Sequence, residues 1–155
     1  MTKEELLVTA GDIPEVSPSA REEYAAKREQ MVSMINEIML ARPDIKDLVG
    51  ENNQDIMKDN HANHARFVES IMGKPDAGTL VETCLWVFRA YRSRGFHSNY
   101  WSAQLNTWVE VLKKSVSPST AEAVYPLYHW FIVHIPDFTA LSDAQMDEMD
   151  VSHEF

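Results

Sequence analysis

The 155-residue chain holds one cysteine, five glycines and no Lys or Arg after residue 114. A lone cysteine, Cys84, cannot build an intramolecular disulfide framework, and a reducing cytoplasm is the expected home. The glycines at 11, 50, 73, 78 and 95 are scattered, so no phosphate-cradling loop exists. No apolar run approaches the roughly 18–20 residues of a membrane span, and Met1 to Glu5 lack the basic start and apolar stretch of a signal peptide. Strand-like alternation, hairpin turns and internal repeats are missing too, and no recognised catalytic motif is found. A net charge of −10 argues against nucleic-acid binding.

That charge sits at the two ends. Residues 23–114 carry 12 basic and 12 acidic residues, whereas residues 115–155 carry seven acids and no base. The acids are Glu122, Asp137, Asp143, Asp147, Glu148, Asp150 and Glu154. Such a segment either stays solvated, docks on a basic partner, or folds back on the chain's own arginines.

The punctuation is helical. Ser17-Pro18 reads as an N-cap and first turn, and Tyr24, Met31, Ile35, Ile38 and Met39 then recur at helical spacing. Pro43 ends that helix, and a short one stops at Gly50. Helices are expected over 51–72, from Asp76 to Arg94, from Ser98 with the stripe Trp101, Leu105, Trp108 and Leu112, and from Ser117-Pro118 onward. Pro126 predicts a kink in the last of these. Ser142 with Gln145 reads as the capping box of a weak acidic terminal helix. The expectation is an all-α domain of about five main helices over residues 17–141, with an N-terminal extension (1–16) and an acidic tail (142–155).

The helix over 51–72 has one anomaly. At roughly 100° per residue its apolar arc, set by Ile56, Met57, Phe67, Val68, Ile71 and Met72, also contains Asn60, His61 and His64. Burying these without partners would cost about 1–3 kcal/mol each. Tyrosine hydroxyls on facing helices (Tyr91, Tyr100, Tyr125, Tyr128) can meet them, or the three line a ligand pocket. His61 and His64, three apart, can also reach one metal ion, given a further ligand from His97, His129 or His134. Cys84 falls on the inner stripe of its helix, where an inert cysteine sits. Arg89, Arg92 and Arg94 suit the negative end of a helix dipole, or with His97 form an anion pocket. Trp86 and Trp130 point away from their helices' main core faces, which implies burial on two sides or an interface.

The run Asp59-Asn60-His61-Ala62-Asn63-His64-Ala65-Arg66-Phe67 is followed by Leu80-Val81-Glu82-Thr83 and Trp86-Val87-Phe88-Arg89-Ala90-Tyr91-Arg92. With Gly95-Phe96, Tyr100-Trp101, Trp108, Tyr125-Pro126 and Trp130, the chain resembles bacterial helical sensor domains that precede cobalamin-binding or regulatory output modules. Some of these, notably stressosome sensor subunits, are globin-like and haem-free. The resemblance implies a globin-like bundle, a signalling role and a homodimer. No output module follows residue 155, so signalling would pass to a separate protein, or the chain is part of a longer one. In such a fold helix 51–72 would be distal and helix 76–94 proximal. The latter holds no histidine to ligate iron, which disfavours haem.

The functional expectation is a non-catalytic sensor module without cofactor, binding a small apolar or anionic ligand. The candidate ligand-binding residues are Asn60, His61, His64, Tyr91, Arg92, His97 and Tyr128. The alternative is a haem- or metal-binding protein using His64 with another histidine.

Overall fold

The computed structural model describes residues 1–153, which form eight helices and no strand. These are α1 (Lys3–Gly11), α2 (Pro18–Leu40), α3 (Ile45–Val49), α4 (Gln54–Ile71), α5 (Ala77–Ser93), α6 (Asn99–Ser115), α7 (Pro118–Val133) and α8 (Ile135–His153). No helix among the described residues is long and apolar enough to cross a membrane.

Helix starts follow capping chemistry. Ser17 Oγ accepts the Ala20 N–H at 3.3 Å, Asp76 Oδ1 that of Thr79 at 2.8 Å, and Ser117 Oγ that of Thr120 at 3.4 Å. Thr2 and Glu5 make a reciprocal capping box for α1. At α6 the expected cap is displaced: Ser98 makes no side-chain capping bond, and the His97 ring accepts the Asn99 N–H at 3.0 Å instead. α7 runs through Pro126 without interruption.

Two turns distant in sequence are locked together. Gly50 (φ 85°) and Gly95 (φ 101°) both adopt the left-handed conformation that glycine alone tolerates easily. A Cβ on Gly50 would stand 3.2 Å from the Gly95 carbonyl oxygen. Asn53 Nδ2 bridges the turns by donating to the carbonyls of Val49 and Arg94, both at 2.8 Å, and His97 N–H donates to Leu48 O at 2.8 Å.

α2 packs against α4, α6 and α7, and α6 against α7, whereas α5 packs chiefly against α1 and α8. The molecule is thus two groups of helices with a seam along α5. Trp108, Leu112, Tyr128, Met57 and Ile35 fill the larger group. Phe67, on the apolar arc of α4, and Ile132 of α7 are only half-buried at its margin.

Three sequence expectations need correction. Six helices rather than five are long, because the segment after His134 continues as α8. Ser142 caps nothing: it is buried within α8, its hydroxyl bonded to Thr139 O at 3.1 Å. Phe138, Leu141, Ser142 and Gln145 share the inner face of α8, and two polar members of that set hide its amphipathic period. The boundary expected at 142 therefore falls inside a helix; Glu154 and the side chain of Asp150 lie outside the described residues. For Trp130 the structure takes the first of the two alternatives, burial on a second side of α7, with Nε1 donating to Thr9 Oγ1 of α1 at 3.0 Å. α1, with Leu6 and Ala10 buried, belongs to the same core as the rest.

Truncating a fully packed side chain of the α6 stripe tests this arrangement. Leu112→Ala is expected to lower unfolding free energy by about 2–5 kcal/mol, read as a fall in the urea midpoint. An unchanged midpoint would reject the stripe assignment.

Candidate functional site: a cavity along the seam of the fifth helix

The polar residues on the inner face of α4 find their partners across three helices. Asn60 Oδ1 accepts from the Tyr100 hydroxyl at 2.8 Å and from Gln104 Nε2 at 3.2 Å, both from α6. His61 Nδ1 lies 2.6 Å from Asn36 Oδ1 of α2, and its Nε2 is 3.3 Å from the Tyr100 oxygen. His64 Nε2 is 3.0 Å from the Tyr128 hydroxyl, which is 2.9 Å from that of Tyr24. Passing one hydrogen along Tyr24, Tyr128 and His64 Nε2 uses both hydroxyl donors and leaves the hydrogen of the neutral imidazole on Nδ1. Tyr100 and Tyr128 are thus the tyrosines that answer the α4 groups.

His64 also stacks on Trp108, with ring centroids 4.8 Å apart and planes at 29°. Burial pushes the His61 and His64 imidazoles down to about 3, and for His64 the neighbouring His61 adds to the effect. Both are therefore neutral at pH 7. Burial likewise raises the Tyr100 and Tyr128 hydroxyls and the Cys84 thiol well above their ordinary values, so none ionises in the neutral range.

One side of His64 is not covered by protein, because it faces a cavity of about 240 Å³. α4 contributes Asn60, Asn63, His64 and Phe67 to its wall, and α6 contributes Trp101, Gln104 and Leu105. The opposite wall is α5, from Thr83 and Cys84 to Tyr91, and Phe131 of α7 and Phe138 of α8 close it. No lining residue carries a formal charge at neutral pH. Asn63 and Trp86, on α4 and α5, are exposed at its mouth, Trp86 by 59%.

The candidate residues divide accordingly. Asn60, His64 and Tyr91 line the cavity. His61 and Tyr128 stand behind it and hold its wall. Arg92 and His97 lie elsewhere, in a second depression of about 310 Å³ beside Ser142 and Asp143 of α8. There Arg92 is ion-paired with Asp143, and Arg89 donates to Gln145. The acidic C-terminal segment thus folds back, at Asp143, on one of the chain's own arginines. His97 and His129 are exposed and His134 pairs with Asp137 at 3.0 Å, so among the described residues no second histidine joins His64 at the cavity. Among the described residues no group of three His, Cys, Asp or Glu is placed to hold a metal ion. Gln104 and Asn36 escaped the sequence reading; the signal for Gln104 is its position four residues after Tyr100 and four before Trp108, inside an apolar stripe.

The buried imidazoles set a pH dependence. The unfolded chain takes up these protons near pH 6.5, the folded chain only near 3. The unfolded state therefore binds more protons in between. Stability is fully present above pH 6.5 and falls as pH drops towards 3, by about 1.4 kcal/mol per histidine per pH unit. The lowered carboxyls of Glu23, Asp44, Asp76 and Asp137 add their own losses only below their ordinary values of 4.5 or 3.8, so the histidines dominate between pH 7 and pH 5. Unfolding free energies from urea titrations at pH 7 and pH 5 are expected to differ by about 2 kcal/mol for His61 and by less for His64, whose ring faces the cavity, and equal values would mean that water reaches both rings in the folded state. Compared with protein-family models, with curated proteins and with solved structures, the chain matches none of them.

Proposed function

We propose that this protein is a non-catalytic sensor or regulatory module, globin-like in arrangement, that takes up one small molecule in the cavity between α4, α5 and α6. The observation that supports it is a largely aromatic cavity with a neutral histidine in its wall, held by Tyr128 and stacked on Trp108. Ligand sites have this character: apolar walls and a few fixed polar groups. At about 240 Å³ the cavity lies below the roughly 300–1,000 Å³ of drug-sized sites, so the ligand is small.

The helix seam gives the signal a route. A bound molecule touches Phe88 of α5 and Phe138 of α8, whose rings meet at 5.4 Å. α5 holds α8 through Arg89 and Arg92, so flexing of α5 at mid-span carries α8 with it against the α2, α4, α6 and α7 group. A separate output protein reads that shift, and the module works as a homodimer through the exposed α5 face carrying Trp86.

Small molecules released by denaturing the purified protein, identified by mass spectrometry, test the reading. One species is expected near one per chain. His64→Leu is expected to keep the helical circular-dichroism spectrum and lose retention at least tenfold. Unchanged retention in that variant would place the ligand elsewhere and remove the proposal, and a Soret band or a bound metal would replace it with the haem or metal reading. Light scattering at a single-chain 17.7 kDa would remove the dimer alone.

A further inference from the structure

Resting on the small-molecule reading, the hydrogen bonds behind the cavity wall fix which kind of polar atom its occupant must carry. The hydroxyls of Tyr24 and Tyr128 are 2.9 Å apart, and that of Tyr128 is 3.0 Å from His64 Nε2. Both tyrosines are fully buried, and the Tyr24 hydroxyl has no partner but Tyr128 among the described residues. The hydrogens along this chain can point in two directions. With a hydrogen on His64 Nε2, the imidazole donates to Tyr128 and Tyr128 to Tyr24, which leaves the Tyr24 hydrogen in the core with no acceptor. In the other direction Tyr24 donates to Tyr128 and Tyr128 to Nε2, so that both buried hydroxyls are met. That direction puts the hydrogen of the neutral ring on Nδ1.

The chain is therefore open at its cavity end. His64 Nδ1 makes no hydrogen bond among the described residues and keeps accessible surface, on a ring whose uncovered side faces the cavity. A flipped ring would set a carbon in place of Nε2 beside the Tyr128 hydroxyl, and the stack on Trp108 holds the ring plane. Among the lining side chains none is an obligate acceptor. There is no carboxylate, the hydroxyls and amides can turn to donate or accept, and the indoles of Trp86 and Trp101 only donate. No Lys or Arg lines the cavity either, so nothing there compensates a formal charge on a ligand, and a desolvated charge without a partner is strongly unfavourable. Phe67, Phe88, Trp101, Phe131 and Phe138 make the rest of the wall largely aromatic, which favours a flat guest through stacked and edge-to-face contacts.

We infer that the cavity selects an uncharged, flat molecule whose acceptor atom, a carbonyl oxygen or a ring nitrogen, takes the hydrogen of His64 Nδ1. Of the two kinds of ligand expected from the sequence, the anion is left out, and a purely apolar molecule leaves Nδ1–H unmet.

Two measurements on the full chain test the inference. Nitrogen NMR shifts of the His64 ring at pH 7 report which nitrogen holds the hydrogen; Nδ1 is expected, and a hydrogen on Nε2 overturns the inference. Calorimetric titration then compares four probes. Acetophenone offers a carbonyl acceptor and no donor, 2-phenylpropene has the same shape with a methylene in place of the oxygen, indole offers a donor, and benzoate adds a charge. Acetophenone is expected to bind at least fivefold more tightly than each of the others. His64→Leu, with an unchanged helical circular-dichroism spectrum, is expected to bring acetophenone and 2-phenylpropene within about twofold of each other. Equal binding of these two by the unaltered protein overturns the role of His64, whether or not the variant folds, and so does a preference that survives in the variant. Tighter binding of indole or benzoate overturns the ligand class. In each of these cases the cavity still takes up a small molecule and the sensor reading stands. Binding of none of the four removes the cavity reading together with this inference.

Discussion

The structure depends on the cost of removing polar groups from water. α4 turns three of them, Asn60, His61 and His64, towards the interior, and each demands a partner fixed in position and direction. The partners come from three other helices: Asn36 and Tyr24 from α2, Tyr100 and Gln104 from α6, Tyr128 from α7. Apolar contact alone would let these helices slide or rotate with little penalty. A hydrogen bond near 3 Å does not, so the polar groups set the rotational phase of α4 and its register against its neighbours. The same groups fix one wall of the cavity to within the tolerance of a hydrogen bond.

The opposite wall is held differently. α5 meets the cavity with Cys84, Trp86, Val87 and Phe88, and its own supports are α1 and α8. Those supports mix buried apolar side chains with surface ion pairs, Lys3 with Glu82 and Arg92 with Asp143. Exposed pairs of this kind contribute about 0–1 kcal/mol each and are screened by salt. A stiff, hydrogen-bonded wall thus faces a wall with weaker ties. That asymmetry supports the proposed regulatory reading, in which the cavity keeps its chemistry while one side yields.

Much of this was legible in the residues. Ser17, Asp76 and Ser117 announce helix starts because a side-chain oxygen followed by a helical period has one economical use. The phase of α4 was legible for the same reason that its polar residues were anomalous: a 3.6-residue period puts His64 among isoleucines and methionines. Buried imidazoles need hydroxyls, which pointed to four tyrosines, and only the packing separates Tyr100 and Tyr128 from Tyr91 and Tyr125. What escaped has physical causes too. α8 hides its inner face because Ser142 and Gln145 occupy positions where an apolar residue is the usual sign. Ser98 looked like a cap, but capping depends on local dihedrals, and at φ −58° and ψ −30° it is already helical. Trp130 left two alternatives open, a second buried side or an interface, because periodicity sees one helix at a time and not α1 lying over it. The cavity is a property of the seam between two groups of helices, and no local pattern encodes a gap.

The paired glycine turns have a mechanical consequence. Through Gly50, Gly95 and Asn53 the beginning of α4 is clamped to the end of α5, while the short turn at residues 72–76 joins their other ends. α4 and α5 are therefore two antiparallel rods pinned at both tips, with the cavity mouth between their middles at Asn63 and Trp86. Such a slit cannot swing open like a door about one hinge. It widens only as a bow does, by flexing at mid-span, and flexing of a helix is resisted along its whole length. The largest displacement then falls around Trp86, halfway between the pins, and the least at the glycines themselves.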